Sequence, residues 1–390
     1  MQKNGAMTTT EFLFALLRSE IAGNVKPDMN EPLTQDTLLE LYRIAKAHDM
    51  AHIVSNALQK CGLLGTDEVS QKFLNKQMLS VYRCERSKYA LGEICSVFEK
   101  EAIPYIPLKG SVLREYYPEE WMRTSCDIDI LVRESDLQRA VDALVKLAGY
   151  TTDNRSNYHD ILLHSPAGIH LELHFNIQEH MDNIDRLLSR VWDYSVCQTS
   201  NGFRFDETQE YFVFHHIAHM VYHFIHGGCG IKPFMDLYIL KNKMGYDDAL
   251  VRTYCRQCDI EGFYDNVLYV TDVWFGEQTH TSVSYQIERY VLKGGVYGAL
   301  ENKVTIARSK QGSKANYALS RIFIPYDTLK YLYPVLEKYK FLFPFMQVRR
   351  WLKIIFCGKF KRGVRELKFN QNISESSISD MNEFLKAIGL

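Results

Sequence analysis

LKGSVLREYYPEEWMRTSCDIDILV, residues 108–132, is the stretch on which the fold turns. A short apolar run, Ile103-Pro-Tyr-Ile-Pro-Leu108, leads into it, and Lys109-Gly110-Ser111 breaks that run as a tight turn does before a helix. At the far end Cys126 to Val132 alternates: Ile128, Ile130 and Val132 leave one face, Asp127 and Asp129 the other. A period of two predicts a strand with one wet face. Ser135 is then expected to cap a helix through Leu147, closed by Gly149.

Two carboxylates on one strand face, about 5–6 Å apart, repel by roughly 3 kcal/mol at an effective dielectric near 20. A divalent cation relieves that repulsion. Mg²⁺ takes one or two carboxylates together with substrate phosphates, and two such ions can clamp both oxygens of a phosphoryl displacement. Alone, Asp-x-Asp is also what a solvated strand edge carries. Its surroundings add to it. Gly110 lets backbone amides approach a phosphate at a helix start, Ser111 can hydrogen-bond it, and Lys109 can neutralise it. Downstream, His170-Leu-Glu-Leu-His-Phe175 alternates again, with His170, Glu172 and His174 on one side. Glu172 thus supplies a third carboxylate, as a metal ligand or as acceptor of a hydroxyl proton. Tyr158–His164 and Ile169–Phe175 flank Ser165-Pro-Ala-Gly168 and predict a hairpin, and Asn201-Gly202 predicts a second, smaller one.

A Gly-Ser turn opening a helix, an Asp-x-Asp strand and a third acid on a later strand resemble the signature of the polymerase-beta-like nucleotidyltransferases. The longer string is similar to one branch of them, a largely uncharacterised bacterial nucleotidyltransferase family. That family places LKG before a tyrosine-rich helix end and an arginine before DIDILV. The resemblance runs from about Leu38 to Asp236, taking in Ala47-His48 and Asp236-Leu237. It implies an α+β protein, a nucleotidyltransferase core of mixed β-sheet with helices, embedded in helical N- and C-terminal segments. It implies transfer of a nucleoside monophosphate from an NTP to a hydroxyl-type acceptor, with Mg²⁺ or Mn²⁺ and release of pyrophosphate. Under it Gly110 and Ser111 hold the nucleotide phosphates, Asp127 and Asp129 bind metal, and Glu172 is the third acid. Many members of the superfamily have aspartate there, so the longer glutamate leaves open a protein that binds nucleotide without turnover. Arg123 resembles the family arginine, with two readings: a triphosphate contact or a brace for its loop. A small molecule, a protein or a tRNA all remain as acceptors.

The rest of the chain frames this core. Its 390 residues suggest several domains. Helical periodicity fills 1–100, with Phe12, Phe14, Leu16 and Leu17 in one helix and Leu38, Leu41 and Tyr42 in another capped by Asp36 or Thr37. The mixed core occupies 101–206, a helical segment over 207–310 closes the cleft, and 311–390 is helical, basic and aromatic. Lys plus Arg total 46 against 47 acids, for a net charge of −1. That argues against a long nucleic-acid track. No apolar run reaches the ~20 residues of a membrane span, and the first residues lack a signal-peptide pattern. Nine cysteines, odd in number and scattered, fit free thiols in a reducing cytoplasm. The lone pair Cys255 and Cys258 reads as ordinary helix, since a zinc ribbon needs four ligands.

Two further segments carry chemistry-bearing residues. His216, His219, His223 and His226 share one helix face. Zinc binding, cleft lining and partial exposure all fit them, and the resemblance favours a polar face turned to the nucleotide, with Lys232 and Asp236 nearby. Tyr339 to Phe369 mixes aromatics with Arg349, Arg350, Lys353, Lys359, Lys361, Arg362, Arg365 and Lys368 among its cations, and only Glu366 as an acid. Such a segment either packs its aromatics on the protein or touches a membrane surface or RNA weakly.

Overall fold

The computed structural model describes residues 7–23, 33–156, 159–356 and 360–390. Four helices precede the sheet: α1 (Thr9–Ile21), α2 (Gln35–Ala47), α3 (Ala51–Lys60) and the long α4 (Glu68–Lys100). The mixed segment follows as β1 (Tyr105–Pro107), α5 (Gly110–Leu113), β2 (Asp127–Val132), α6 (Leu137–Ala148), β3 (Thr151–Ser156), β4 (Asp160–His164), β5 (His170–His174), α7 (Asp182–Leu188), β6 (Ser195–Cys197) and β7 (Phe205–Glu207). Helices then run on: α8 (Gln209–Ile225), α9 (Lys232–Ile239), α10 (Asp248–Gln257), α11 (Glu261–Phe275), α12 (Ser282–Gly294) and α13 (Leu300–Gln311). The last six are α14 (Lys314–Ile322), α15 (Tyr326–Leu332), α16 (Val335–Lys338), α17 (Phe343–Phe356), α18 (Phe360–Asn372) and α19 (Glu375–Ala387). This is the α+β architecture expected, a mixed sheet embedded in helices.

The main sheet has the order β1-β2-β5-β4-β3, with β2 and β5 parallel and every other pair antiparallel. Its two faces do different work. Ile128, Ile130, Val132, Leu171 and Leu173 pack against Ile94 and Phe98 of α4 and Ala140 and Leu144 of α6. The opposite face carries the carboxylates. Where it closes, Leu131, Ile106 and Leu108 join the large helical core that includes α1, α3, α8, α9 and α11. The alternation in 126–132 is therefore a division between a dry face and the cleft.

Some boundaries differ from expectation for local reasons. The α2 cap is Thr34, whose hydroxyl accepts from the Thr37 N–H at 3.2 Å, so the helix starts before Thr37. Ser135 lies inside a 3-10 turn, Glu134–Asp136, and α6 begins after Asp136 with no side-chain cap. Gly149 closes α6 at φ 67°, a left-handed position that glycine takes without steric cost. The Ser165–Gly168 turn joins β4 to β5 as predicted, and β6 and β7 flank Asn201-Gly202; Tyr158 lies outside the described residues. Cys255 and Cys258, at the end of α10, are buried thiols.

Candidate active site

Parallel pairing of β2 with β5 sets Asp127 opposite His170 and Asp129 opposite Glu172. Residues in register share a pleat, so Asp127, Asp129 and Glu172 project from the same face of the sheet. The backbone also fixes the turn beside them. Leu108 donates its N–H to the Asp129 carbonyl at 3.0 Å, which extends the β1–β2 ladder by one rung. The chain then turns at Lys109, with φ 42°, into α5. Space is tight at the next residue: a Cβ on Gly110 would stand 3.2 Å from the Ser125 Cβ and 3.7 Å from Arg123 Nη1. Arg114 ties the two loops by donating from Nε to the Gly110 carbonyl and from Nη2 to Ser125 Oγ, both at 3.1 Å. Ser111 is buried in the first turn of α5.

The charges at this face are strongly coupled. His174 Nε2 stands 3.0 Å from Asp129 Oδ1 and 3.6 Å from Glu172 Oε2. Burial would lower the imidazole, but its hydrogen bonds to the two carboxylates raise it to about 9, so it is a cation that donates to Asp129. Burial pushes Asp129 up, and the His174 hydrogen bond and Lys109 more than reverse that, holding it well below the usual carboxylate range. Asp127 goes the other way: burial, then Asp129 and Glu172, push it up to about 6. Lys109 is disfavoured by burial yet held above its ordinary value by Asp129, Glu179, Glu172 and Asp127. Four carboxylates, Asp127, Asp129, Glu172 and Glu179, thus face the two cations, and Asp127 is the one pushed up.

That imbalance suits a metal ion. Asp129, Glu172 and His174 each place a ligand atom within 4.8 Å of the others. Their donors, with Asp127, are mainly hard oxygens of the kind a divalent cation selects. Among the described residues a second such group, His159, Asp160 and His174, lies along the same strands. Neither group contains a histidine of α8.

The histidines of α8 instead form hydrogen-bonded links. His219 Nδ1 lies 2.6 Å from Glu179 Oε1, and its Nε2 lies 2.9 Å from His223 Nε2. His216 Nε2 donates to the Pro233 carbonyl at 2.9 Å. Burial lowers His216, holds His219 well below its ordinary value and takes His223 down to about 4, so this face is neutral at pH 7. His216 and His219 line a small cavity with Lys109 and Leu113, which brings the helix to the Lys109-Gly110-Ser111 turn.

Arg123 and Lys232 are held by other partners. Arg123 Nε and the Tyr117 hydroxyl both donate to Asp236 Oδ1 at 2.6 Å. Arg123 also bonds the Thr124 carbonyl at 2.6 Å. Lys232 reaches Asp49 Oδ2 at 2.7 Å and Thr124 Oγ1 at 2.8 Å. Both cations thus brace the loop that enters β2. Sequence reasoning placed His174 on the correct side of its strand but gave it no role, and it missed Glu179 and Asp49. The strand parity carried the first signal; nothing local marks the other two.

Comparison with known proteins fits this arrangement. Residues 35–276 match the model of a family described as "Uncharacterised nucleotidyltransferase", a span that holds every candidate residue above. No curated protein and no solved structure matches the chain.

Proposed function

The chain belongs to that nucleotidyltransferase family, and from this premise we propose that it transfers a nucleoside monophosphate from an NTP to a hydroxyl-type acceptor at Asp127, Asp129 and Glu172. The observation that carries the reading is the register of β2 with β5, which sets Asp129 and Glu172 side by side next to the turn at Lys109-Gly110-Ser111. In this reading 101–206 performs the chemistry, 207–310 closes the cleft, and 1–100 and 311–390 frame them.

Asp127, Asp129 and Glu172 would hold Mg²⁺ or Mn²⁺, which when bound would neutralise the phosphates and lower the pKa of the attacking hydroxyl. Gly110 admits the triphosphate to the backbone amides of the turn, while Ser111 and Lys109 contact its oxygens. Glu172 accepts the proton as the acceptor oxygen bonds to the α-phosphorus, the α–β phosphoanhydride bond breaks, and pyrophosphate leaves with that electron pair. Positioning and charge stabilisation do most of the catalytic work. Lys232 and Arg123 keep the β2 loop in place through Asp49, Thr124 and Asp236. His216 completes the wall beside Lys109.

One observation favours a second reading, nucleotide binding without turnover. His174 already sits as a cation against Asp129 and Glu172, where a metal would sit. Incubation with α-labelled NTPs, Mg²⁺ and fractions of a cell extract separates the two. Label transfer with pyrophosphate release, lost in Glu172→Gln, supports the enzyme. Binding that releases no pyrophosphate with any fraction supports the second reading.

A further inference from the structure

In the cation-rich C-terminal segment one apolar face of α17 stays open. The side of α17 turned to the protein is mixed, with Phe343, Met346, Trp351 and Ile354 half-buried beside polar groups. Gln347 is buried and donates to the Ile324 carbonyl at 2.6 Å. Arg350 donates to the carbonyls of Ile322 and Arg321 at 3.0 and 2.9 Å, and Trp351 Nε1 donates to Ile322 at 2.7 Å. The opposite face is apolar and open. Phe345 is 66% exposed, Val348 48%, Leu352 49%, Ile355 53% and Phe356 81%. Their spacings of three and four place them on one stripe. An exposed apolar stripe of this kind marks a contact site.

The charges say what it contacts. Arg349 and Lys353 flank the stripe and are exposed, as are Lys338 and Lys340. From Lys338 to Arg365 the sequence has no aspartate or glutamate. No helix of the described residues is long and apolar enough to cross a membrane; an open apolar stripe flanked by cations is the pattern of a helix that lies in an interface plane.

We propose that the exposed face of α17 docks the protein on an anionic lipid bilayer, its aromatic and aliphatic side chains entering the headgroup boundary and its lysines and arginines meeting anionic headgroups. The proposal is independent of the nucleotide reading. A second copy fits poorly, because an isologous contact would bring the same cations together without an acidic partner. RNA fits less well, because three of the five stripe residues, Val348, Leu352 and Ile355, offer no π-face for a base and interrupt the two phenylalanines that do.

The test is sedimentation of the full chain with vesicles of phosphatidylcholine alone and of phosphatidylcholine mixed with phosphatidylglycerol. Wild type is expected to sediment with the mixed vesicles and weakly with the neutral ones. Arg349→Gln/Lys353→Gln should lower partitioning to the mixed vesicles about tenfold to thirtyfold, and Phe345→Glu/Leu352→Glu should abolish it. Because these positions are exposed, unchanged melting temperatures confirm that both variants remain folded. Failure of the folded wild type to sediment, equal binding to both vesicle types, or binding unaffected by Phe345→Glu/Leu352→Glu overturns the proposal. So does a dimer in light scattering that the same double substitution dissociates.

Discussion

Asp129 on β2 and His174 on β5 form a buried ion pair, Oδ1 to Nε2 at 3.0 Å, inside the carboxylate cluster they help define. The pair has a defined pH window. His174 is raised to about 9, so its contribution is complete below its unfolded value near 6.5 and lost as pH rises through 9. Asp129 is depressed, so its contribution is present above its unfolded value near 3.9 and lost as pH falls through its lower folded value.

His174→Gln removes the cation and leaves Asp129 buried against Glu172 without it. Breaking one side of a buried pair costs on the order of 3 kcal/mol. We expect that loss in urea denaturation of the metal-free protein at pH 7, a smaller loss at pH 9.5, and partial recovery with Mg²⁺. A stability unchanged at pH 7 would show that the pair is not formed.

Asp127 carries the opposite sign. Its carboxyl is raised to about 6, so the folded state resists ionisation and loses stability as pH climbs from about 4 to 6. Asp127→Asn should therefore stabilise the metal-free protein above pH 6, by on the order of 1 kcal/mol after allowance for solvent screening, and do nothing at pH 4. The same variant should lose most of the Mg²⁺-induced rise in melting temperature seen in wild type. Equal Mg²⁺ response in both proteins contradicts this role.

Gly110→Ala sets a Cβ 3.2 Å from the Ser125 Cβ. The loop must yield, so calorimetry should show NTP binding weakened about tenfold or more, with a stability cost of about 1 kcal/mol. Gly110→Ala/Ser125→Gly removes the contacting carbon and should recover much of both. Ser125→Gly alone, which removes the Oγ that accepts from Arg114, is the control. If the double variant binds no better than Gly110→Ala while Ser125→Gly alone binds as wild type, the crowding lies elsewhere.

Asp236 is the anchor for two donors, Arg123 and the Tyr117 hydroxyl. Asp236→Ala strands a largely buried guanidinium and should cost about 3 kcal/mol in chemical denaturation. Asp236→Asn, which still accepts, should cost less. Equal losses would mean that the charge, not the shape or the acceptor oxygen, matters here.

Much of the site was legible because its signals are local. The alternation around Asp127 and Asp129 forecast β2, Ser165 to Gly168 forecast the β4–β5 turn, and strand parity placed Glu172 and His174 together. The parallel pairing of β2 with β5 was not legible, since it joins segments more than forty residues apart and depends on the whole sheet. Nor was β3: Thr151-Thr-Asp-Asn-Arg-Ser156 has no apolar alternation, and its backbone pairs only with β4, at the sheet edge. The partners of Arg123 and Lys232, from α9 and the turn after α2, likewise come from packing. On α17 the mixture of aromatics and cations left both packings open, and the inner face is in fact mixed, with Gln347, Arg350 and the aromatic Trp351 donating to carbonyls of Ile324, Ile322 and Arg321.

The central claim is that the β2–β5 carboxylates form a metal-dependent nucleotide site. Its most direct test is the melting temperature of wild type and Asp127→Ala/Asp129→Ala with each NTP, with and without Mg²⁺. A ligand at about 100 times its dissociation constant stabilises by roughly 2.7 kcal/mol, a readily visible shift. The account predicts that at least one NTP with Mg²⁺ raises the wild-type melting temperature and leaves the double variant unmoved. An equal shift in both proteins, or none with any NTP in either, would contradict it.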